Sequence, residues 1–220
     1  MNLLTAMGAA AVAFLAGWLA AANQHRLYRE PEFRNNPASG RRALLLRLGV
    51  SAAAAATAAA AFRPGHYDAG PAILTASFAL VFVVLSSTDF ERHRIPNRLS
   101  YPAMAVAAAL CWAWPDRDPV DIAIGAGVAL VAGAVFYGLG LVAGRGSAGL
   151  GLGDVKLILL IGLVLGWPLV VSAVFLGVFI AGIPAIVLVR LGRSRQKFAY
   201  GPYLSAGALA VLLFPATFRF

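Results

Sequence analysis

Eight long stretches of apolar residues follow one another along the chain, at about 3–23, 43–62, 71–88, 99–114, 120–143, 152–167, 169–190 and 203–218, and polar residues collect between them. A bilayer core of about 30 Å takes roughly 20 apolar residues per helical span. In lipid every backbone polar group has to be paired internally, so only helices and closed barrels cross. These stretches are too long and too unbroken for barrel strands. The pattern therefore predicts an all-α, polytopic transmembrane helical bundle of about eight spans, forming one membrane-embedded domain over residues 1–220. The fourth and sixth stretches are short for full spans, and tilting, local thinning of the bilayer or ending below the headgroups would accommodate them. Residues 51–61 read SAAAAATAAAA. Small side chains let helices approach closely in lipid, so this helix is expected inside the bundle. No internal repeat stands out.

Composition agrees with this pattern. Hydrophobic residues make up 60% of the 220 and charged ones 12%, with a mean hydropathy of +0.80, whereas an average soluble domain is about 45–50% apolar and about 25% charged. That leaves too little polar surface to coat a water-soluble globule. The net charge of +9 would suit a nucleic-acid partner, but its distribution argues for none. Fifteen of the eighteen Lys and Arg residues sit in alternate loops: Arg26, Arg29, Arg34, Arg41, Arg42 and Arg47; Arg92, Arg94 and Arg98; Arg145 and Lys156; Arg190, Arg193, Arg195 and Lys197. The other loops hold Arg63, Arg117 and Arg219. With eight spans, the four basic loops share one side, which the positive-inside rule makes cytoplasmic, with both termini outside. The expected site of action is the inner (plasma) membrane, with lipid as a partner. The first apolar stretch has no basic residue before it and a basic cluster after it, the reverse of a secretory signal. The single cysteine, Cys111, lies in an apolar stretch and can form neither a disulfide nor a CxxC metal site. It is expected to pack as a small residue.

Two segments carry candidate chemistry. In SSTDFERHRIPNRLSYP, residues 86–102, Asp89 directly follows an apolar stretch. Pro96 disfavours helix at Ile95, which predicts a turn there. Ionisable residues at membrane depth are costly and are functional candidates for that reason. Glu91, His93, Arg92, Arg94 and Arg98 read as solvated loop residues, and a capping box from Thr88 to Glu91 is a further structural reading. In GRGSAGLGLGDVKLILLIGLVLGW, residues 144–167, a glycine-rich stretch runs into Asp154 and Lys156 and then an apolar helix. Glycine allows close approach by another chain. The Gly-Lys-Ser/Thr of a phosphate-binding loop is missing. The structural reading here is a linker, with Asp154 capping a helix and Lys156 snorkelling to the interface.

The pair says more than either member. Asp89 ends the third span and Asp154 begins the sixth, on the same side, so both sit at similar depth. Two close carboxylates share a proton. One can then serve as base toward a water and the other as acid toward a scissile carbonyl. Asp68, Asp116, Asp118 and Asp121 fall in the opposite loops, and Glu30 and Glu32 in the first basic loop.

Together with a third segment, these motifs resemble those of the type IV prepilin peptidases. Residues 81–102, with Asp89 ahead of Ile95-Pro96-Asn97-Arg98-Leu99, resemble the family's first catalytic motif. Gly151-Leu152-Gly153-Asp154-Val155-Lys156 resembles its GxGDxK motif, and Tyr200-Gly201-Pro202-Tyr203-Leu204 its GP-containing segment before the last helix. The resemblance covers about 70–210. It implies an aspartyl endopeptidase with Asp89 and Asp154 as the catalytic pair. Gly151, Gly153, Lys156, Pro96, Gly201 and Pro202 would support the motifs or bind substrate. The substrate and partner would be a prepilin or pseudopilin precursor, cut on the cytoplasmic side between a short basic leader and a hydrophobic helix. Larger members carry an insert with paired CxxC motifs after the first span, linked to zinc and to N-methylation. Here loop 24–42 is short and has no cysteine. The implied enzyme is thus a peptidase with no cofactor or metal and doubtful methyltransferase activity, nearer to the compact relatives serving Flp/Tad pili and archaeal preflagellins.

Two alternatives share the carboxylates. Presenilin-like GxGD proteases expect a Tyr-Asp first motif and a Pro-Ala-Leu third one, but Thr88 precedes Asp89 and no Pro-Ala-Leu follows. A proton- or cation-coupled transporter would place its acids nearer mid-membrane.

Overall fold

The structure, a computed structural model, describes residues 2–142, 151–191 and 198–218. Among the described residues all regular structure is helical. Helix α1 (Leu3–Asn23) runs into a 3-10 turn (Gln24–Leu27) and a short α2 (Pro31–Arg34). Then come α3 (Gly40–Ala61), α4 (Ala69–Arg92), and α5 (Asn97–Ala109) with a 3-10 turn (Cys111–Ala113). The rest are α6 (Pro119–Val142), α7 (Leu152–Leu165), α8 (Leu169–Arg190), α9 (Gly201–Leu213) and α10 (Pro215–Phe218). Residues 144–150, with Arg145, Arg193, Arg195, Lys197 and Arg219, lie outside the described residues, so the structure does not bear on their expected places.

Among the described residues five helices are long and apolar enough to cross a membrane: Leu3–Leu27, Gly40–Ala61, Ala69–Arg92, Pro119–Leu141 and Leu169–Val187. The fourth, sixth and eighth apolar stretches instead form helices of 13, 14 and 13 residues. At 1.5 Å per residue these cover about 20 Å, against about 30 Å of bilayer core. Each stretch stays apolar past the point where its helix ends. The fourth turns into a 3-10 segment after Leu110. The sixth stops at Gly166, whose φ of 70° leaves the helical region. The eighth breaks at Phe214, ahead of Pro215, since a proline disfavours helix at the residue before it.

Helices α4, α7 and α9 form the centre. Phe82 and Leu85 of α4, Leu157, Ile158, Ile161 and Leu165 of α7, and Leu204, Ala208 and Leu212 of α9 are buried in one cluster. A 14-residue helix that is apolar all round is suited to such a central place. Around it, α1, α6 and α8 present large apolar side chains outward, among them Leu4, Leu15, Val131, Leu139, Phe175 and Phe179. Lipid is the solvent in which that surface is stable. Small residues bring the inner and outer helices together. A Cβ at Gly162 of α7 would lie 2.6 Å from both the Ala129 Cβ and the Gly125 carbonyl oxygen of α6. The alanine-rich α3 buries one face only, through Val50, Ser51, Ala54, Ala58 and Ala61. It packs on α1, where a Cβ at Gly17 would meet the Ser51 Cα at 2.9 Å. Val50 also packs with Val83 and Val84 of α4 and with Leu209 of α9, so the helix lies between α1 and the central helices. Alanine on every face carries no sidedness of its own, so the neighbour decides which face is covered.

The long helices alternate in direction. The end of α3, the start of α4 and the ends of α5 and α9 meet around one cavity, lined by Arg63, His66, Tyr67, Asp116 and Phe214. There the Tyr67 hydroxyl donates to Asp116 Oδ2 at 2.9 Å. The ends of α1 and α4 meet the starts of α5 and α7 at the opposite pole.

Candidate active site

The last turns of α4 carry the first candidate carboxylate. The helix continues past Asp89 to Arg92 and closes at His93, which adopts the left-handed conformation (φ 51°, ψ 41°). The His93 N–H donates to the Asp89 carbonyl oxygen at 2.7 Å. Such a residue ends a helix by satisfying one of its last carbonyls. Ile95 then precedes Pro96, and α5 starts after the proline, so the turn expected from the Ile-Pro pair is present. Ile95 is buried, and a Cβ at Gly153 would make ordinary contact with its side chain at 3.5 Å. The Ile-Pro turn therefore packs directly on the glycine-rich approach to Asp154.

Asp154 sits in the first turn of α7, where a helix N-terminus favours negative charge. Its Oδ2 accepts the Gly151 N–H at 2.9 Å, so the expected capping role is present. Asp89 uses a different helix. Its Oδ2 accepts the N–H of Gly201, the first residue of α9, at 2.9 Å. The first N–H groups of a helix have no partner within it, and Asp89 satisfies one of them. Pro202, next in line, has no N–H to satisfy. Tyr200 precedes the pair. Burial first and the nearby Asp154 carboxylate second push its phenol up. The segment that holds Asp89 thus also reaches the surroundings of Asp154.

Both carboxylates are buried, with Asp89 6% and Asp154 9% exposed. They line one cavity of about 600 Å3 together with Gly151, Gly153, Lys156 and Pro96. Gly201 and Pro202 stand behind Asp89 rather than in the cavity wall. Lys156, expected to snorkel, donates from Nζ to Asn97 Oδ1 at 2.9 Å and lies 5.1 Å above the Tyr101 ring, tying the start of α7 to α5.

The structure corrects several expectations around Asp89. Glu91 is no solvated loop residue: its side chain is 3% exposed and its Oε1 lies 3.4 Å from Arg92 Nε. Because α4 runs one turn further than its apolar stretch, residue 91 comes round onto the packed face. Thr88 starts no helix. It lies within α4, and its hydroxyl donates to the Leu85 carbonyl at 2.9 Å. Arg92 folds over the Phe33 ring. Arg94 and Arg98 are exposed as expected, yet they bind Glu30 Oε1 and the Arg26 carbonyl, each at 3.0 Å. His93 is exposed, as read. Cys111 is half-buried at the start of a 3-10 turn.

The sequence reading missed the far wall of the cavity, made by Leu27, Tyr28, Arg29 and Glu30 of the first loop. Tyr28 is buried. Burial and then the Glu91 carboxylate push its phenol up. Its one signal in the sequence is an aromatic ring within a basic loop. Among the described residues no group of three or more His, Cys, Asp or Glu side chains could hold a metal.

These features describe a polytopic helical membrane protein with two buried carboxylates facing one cavity at one pole of the bundle. Residues 76–186 match the type IV leader peptidase family, and the chain belongs to that family. A prepilin leader peptidase/N-methyltransferase of Burkholderia pseudomallei (strain 1026b) is 31% identical over 177 residues, covering 77% of this chain and 54% of the relative. The protein of the same description from strain K96243 matches to the same extent. One from Bacillus subtilis (strain 168) is 29% identical over 142 residues, or 62% of this chain and 54% of that protein. The chain spans about half the length of these curated relatives. No solved structure matches it.

Proposed function

We propose that this chain is an aspartyl endopeptidase that removes the short basic leader from prepilin-like precursors at the cytoplasmic edge of the inner membrane. The observation that carries this reading is that Asp89 and Asp154, from different helices, line the same cavity, each with one oxygen held by a backbone N–H. Sharing one proton, the pair titrates as a unit. The ionised member takes a proton from a water as it attacks the scissile carbonyl, and the protonated member donates to the carbonyl oxygen. Collapse of that intermediate breaks the C–N bond, and the new amine leaves with a proton. Membership of the type IV leader peptidase family supports a peptidase, and the name of the relatives supports prepilins as substrates. Pilins of the Flp/Tad kind and pseudopilins are the candidates. The lack of cysteine in residues 24–42 supports cleavage without N-methylation. In this reading the chain is a single domain of eight spans with both termini outside.

Co-expression with a candidate prepilin tests the reading, with precursor size followed on gels. Asp89→Asn and Asp154→Asn should each abolish processing. Wild-type cleavage by either variant would remove that residue from the mechanism.

A further inference from the structure

Asp89 lies in the last turn of α4, and helix ends fray. The turn after α1 grips this one from behind. Gln24 is only 4% exposed. Its Oε1 accepts the Ser87 hydroxyl at 3.1 Å, and its Nε2 donates to Glu91 Oε2. Residues four apart share a helix face. Asp89 is two positions from each, which at 3.6 residues per turn sets it on the opposite side. Gln24 therefore holds the back of the turn whose front carries Asp89. Tyr28 adds a third grip, its hydroxyl donating to the Thr88 carbonyl at 3.3 Å.

Burying an amide and a carboxylate costs free energy unless they are paired. Apolar residues of similar size would often give equal stability. What a bonded polar pair adds is direction, because it holds in one rotational setting of the helix. We infer that Gln24 and Glu91 are positioning residues that set the rotation of the last turn of α4 and so aim Asp89 into the cavity. This rests on the reading of Asp89 as a reacting group.

The test uses the full chain in membrane vesicles with the candidate precursor, measuring kcat and KM separately per folded molecule. Gln24→Leu and Glu91→Leu should each lower kcat about tenfold or more, since small misplacements of a reacting group are costly. KM should stay within about twofold, as expected when substrate binding is intact. Glu91→Gln still accepts the Gln24 N–H, and should keep kcat within about threefold of wild type. Ser87→Ala removes one bond of the network with little loss of packing, and keeps the test open should Gln24→Leu not accumulate; its kcat should fall. A merely structural role would reduce the amount of folded protein and leave kcat unchanged. That result, or an equal loss in Glu91→Gln and Glu91→Leu, would overturn the inference. Asp89→Asn separates the two readings. If it abolishes cleavage while Gln24→Leu cuts normally, only the positioning role falls. If it cuts normally, the assignment of Asp89 falls first.

Discussion

Gly201 shows how closely the surroundings of Asp89 are fitted. A Cβ added there would lie 2.7 Å from Asp89 Oδ2 and 2.8 Å from its Cβ, and neither atom can yield without turning the carboxylate. Gly201→Ala should therefore cost about a hundredfold in processing rate, the scale of a reacting group displaced by about 1 Å, while the chain still accumulates in the membrane. Wild-type processing would show that this hydrogen bond does not aim Asp89. At this scale the sequence singled out candidate groups and was silent about their partners. Asp89 and Asp154 stood out because a carboxylate beside an apolar stretch is costly to keep there unless it serves a function. Glu91 did not, because a carboxylate among arginines looks solvated until the helix is known to run one turn further and bring it against Gln24.

Among the elements, the apolar stretches located every long helix, since they mark where the chain avoids water. They were poorer guides to helix ends, which depend on dihedral angles and caps at single residues such as His93, Gly166 and Phe214. Helix pairing rests on small residues. A Cβ at Gly207 of α9 would fall 2.3 Å from the Ala173 carbonyl oxygen and 2.7 Å from the Gly177 nitrogen of α8. Gly207→Val should destabilise the protein by about 1–3 kcal/mol, as overpacking does, read as a lower unfolding temperature in detergent. At Gly182 a Cβ would meet nothing within 4 Å. Gly182→Ala should change stability by less than about 1 kcal/mol, and an equal effect at both positions would refute the packing account. The sequence contains both glycines without distinguishing them, because only the neighbouring helix makes one of them indispensable.

Over the whole molecule, the expected topology puts the cavity with Asp89 and Asp154 in the cytoplasm and the Tyr67–Asp116 pole outside. Single cysteines in a Cys111→Ser background test it. Glu32 and Asp68 are both exposed, one in the first loop and the other just before α4. A membrane-impermeant thiol reagent added to whole cells should label Asp68→Cys and leave Glu32→Cys unlabelled until the cells are opened. The reverse pattern would invert the chain in the membrane. The amino-acid sequence alone determined that this is an all-helical membrane protein, which two acids to examine, and the kinship those motifs carry. It did so because apolar length and a charge beside an apolar stretch are local properties of the chain. Only the tertiary structure decided that both carboxylates line one cavity, that α9 supplies the N–H for Asp89, and that the first loop closes the far wall. The first two of those facts join residues 65 and 112 positions apart, the third joins the first loop to helix starts and ends far along the chain, and no local pattern encodes which distant surfaces will pack together.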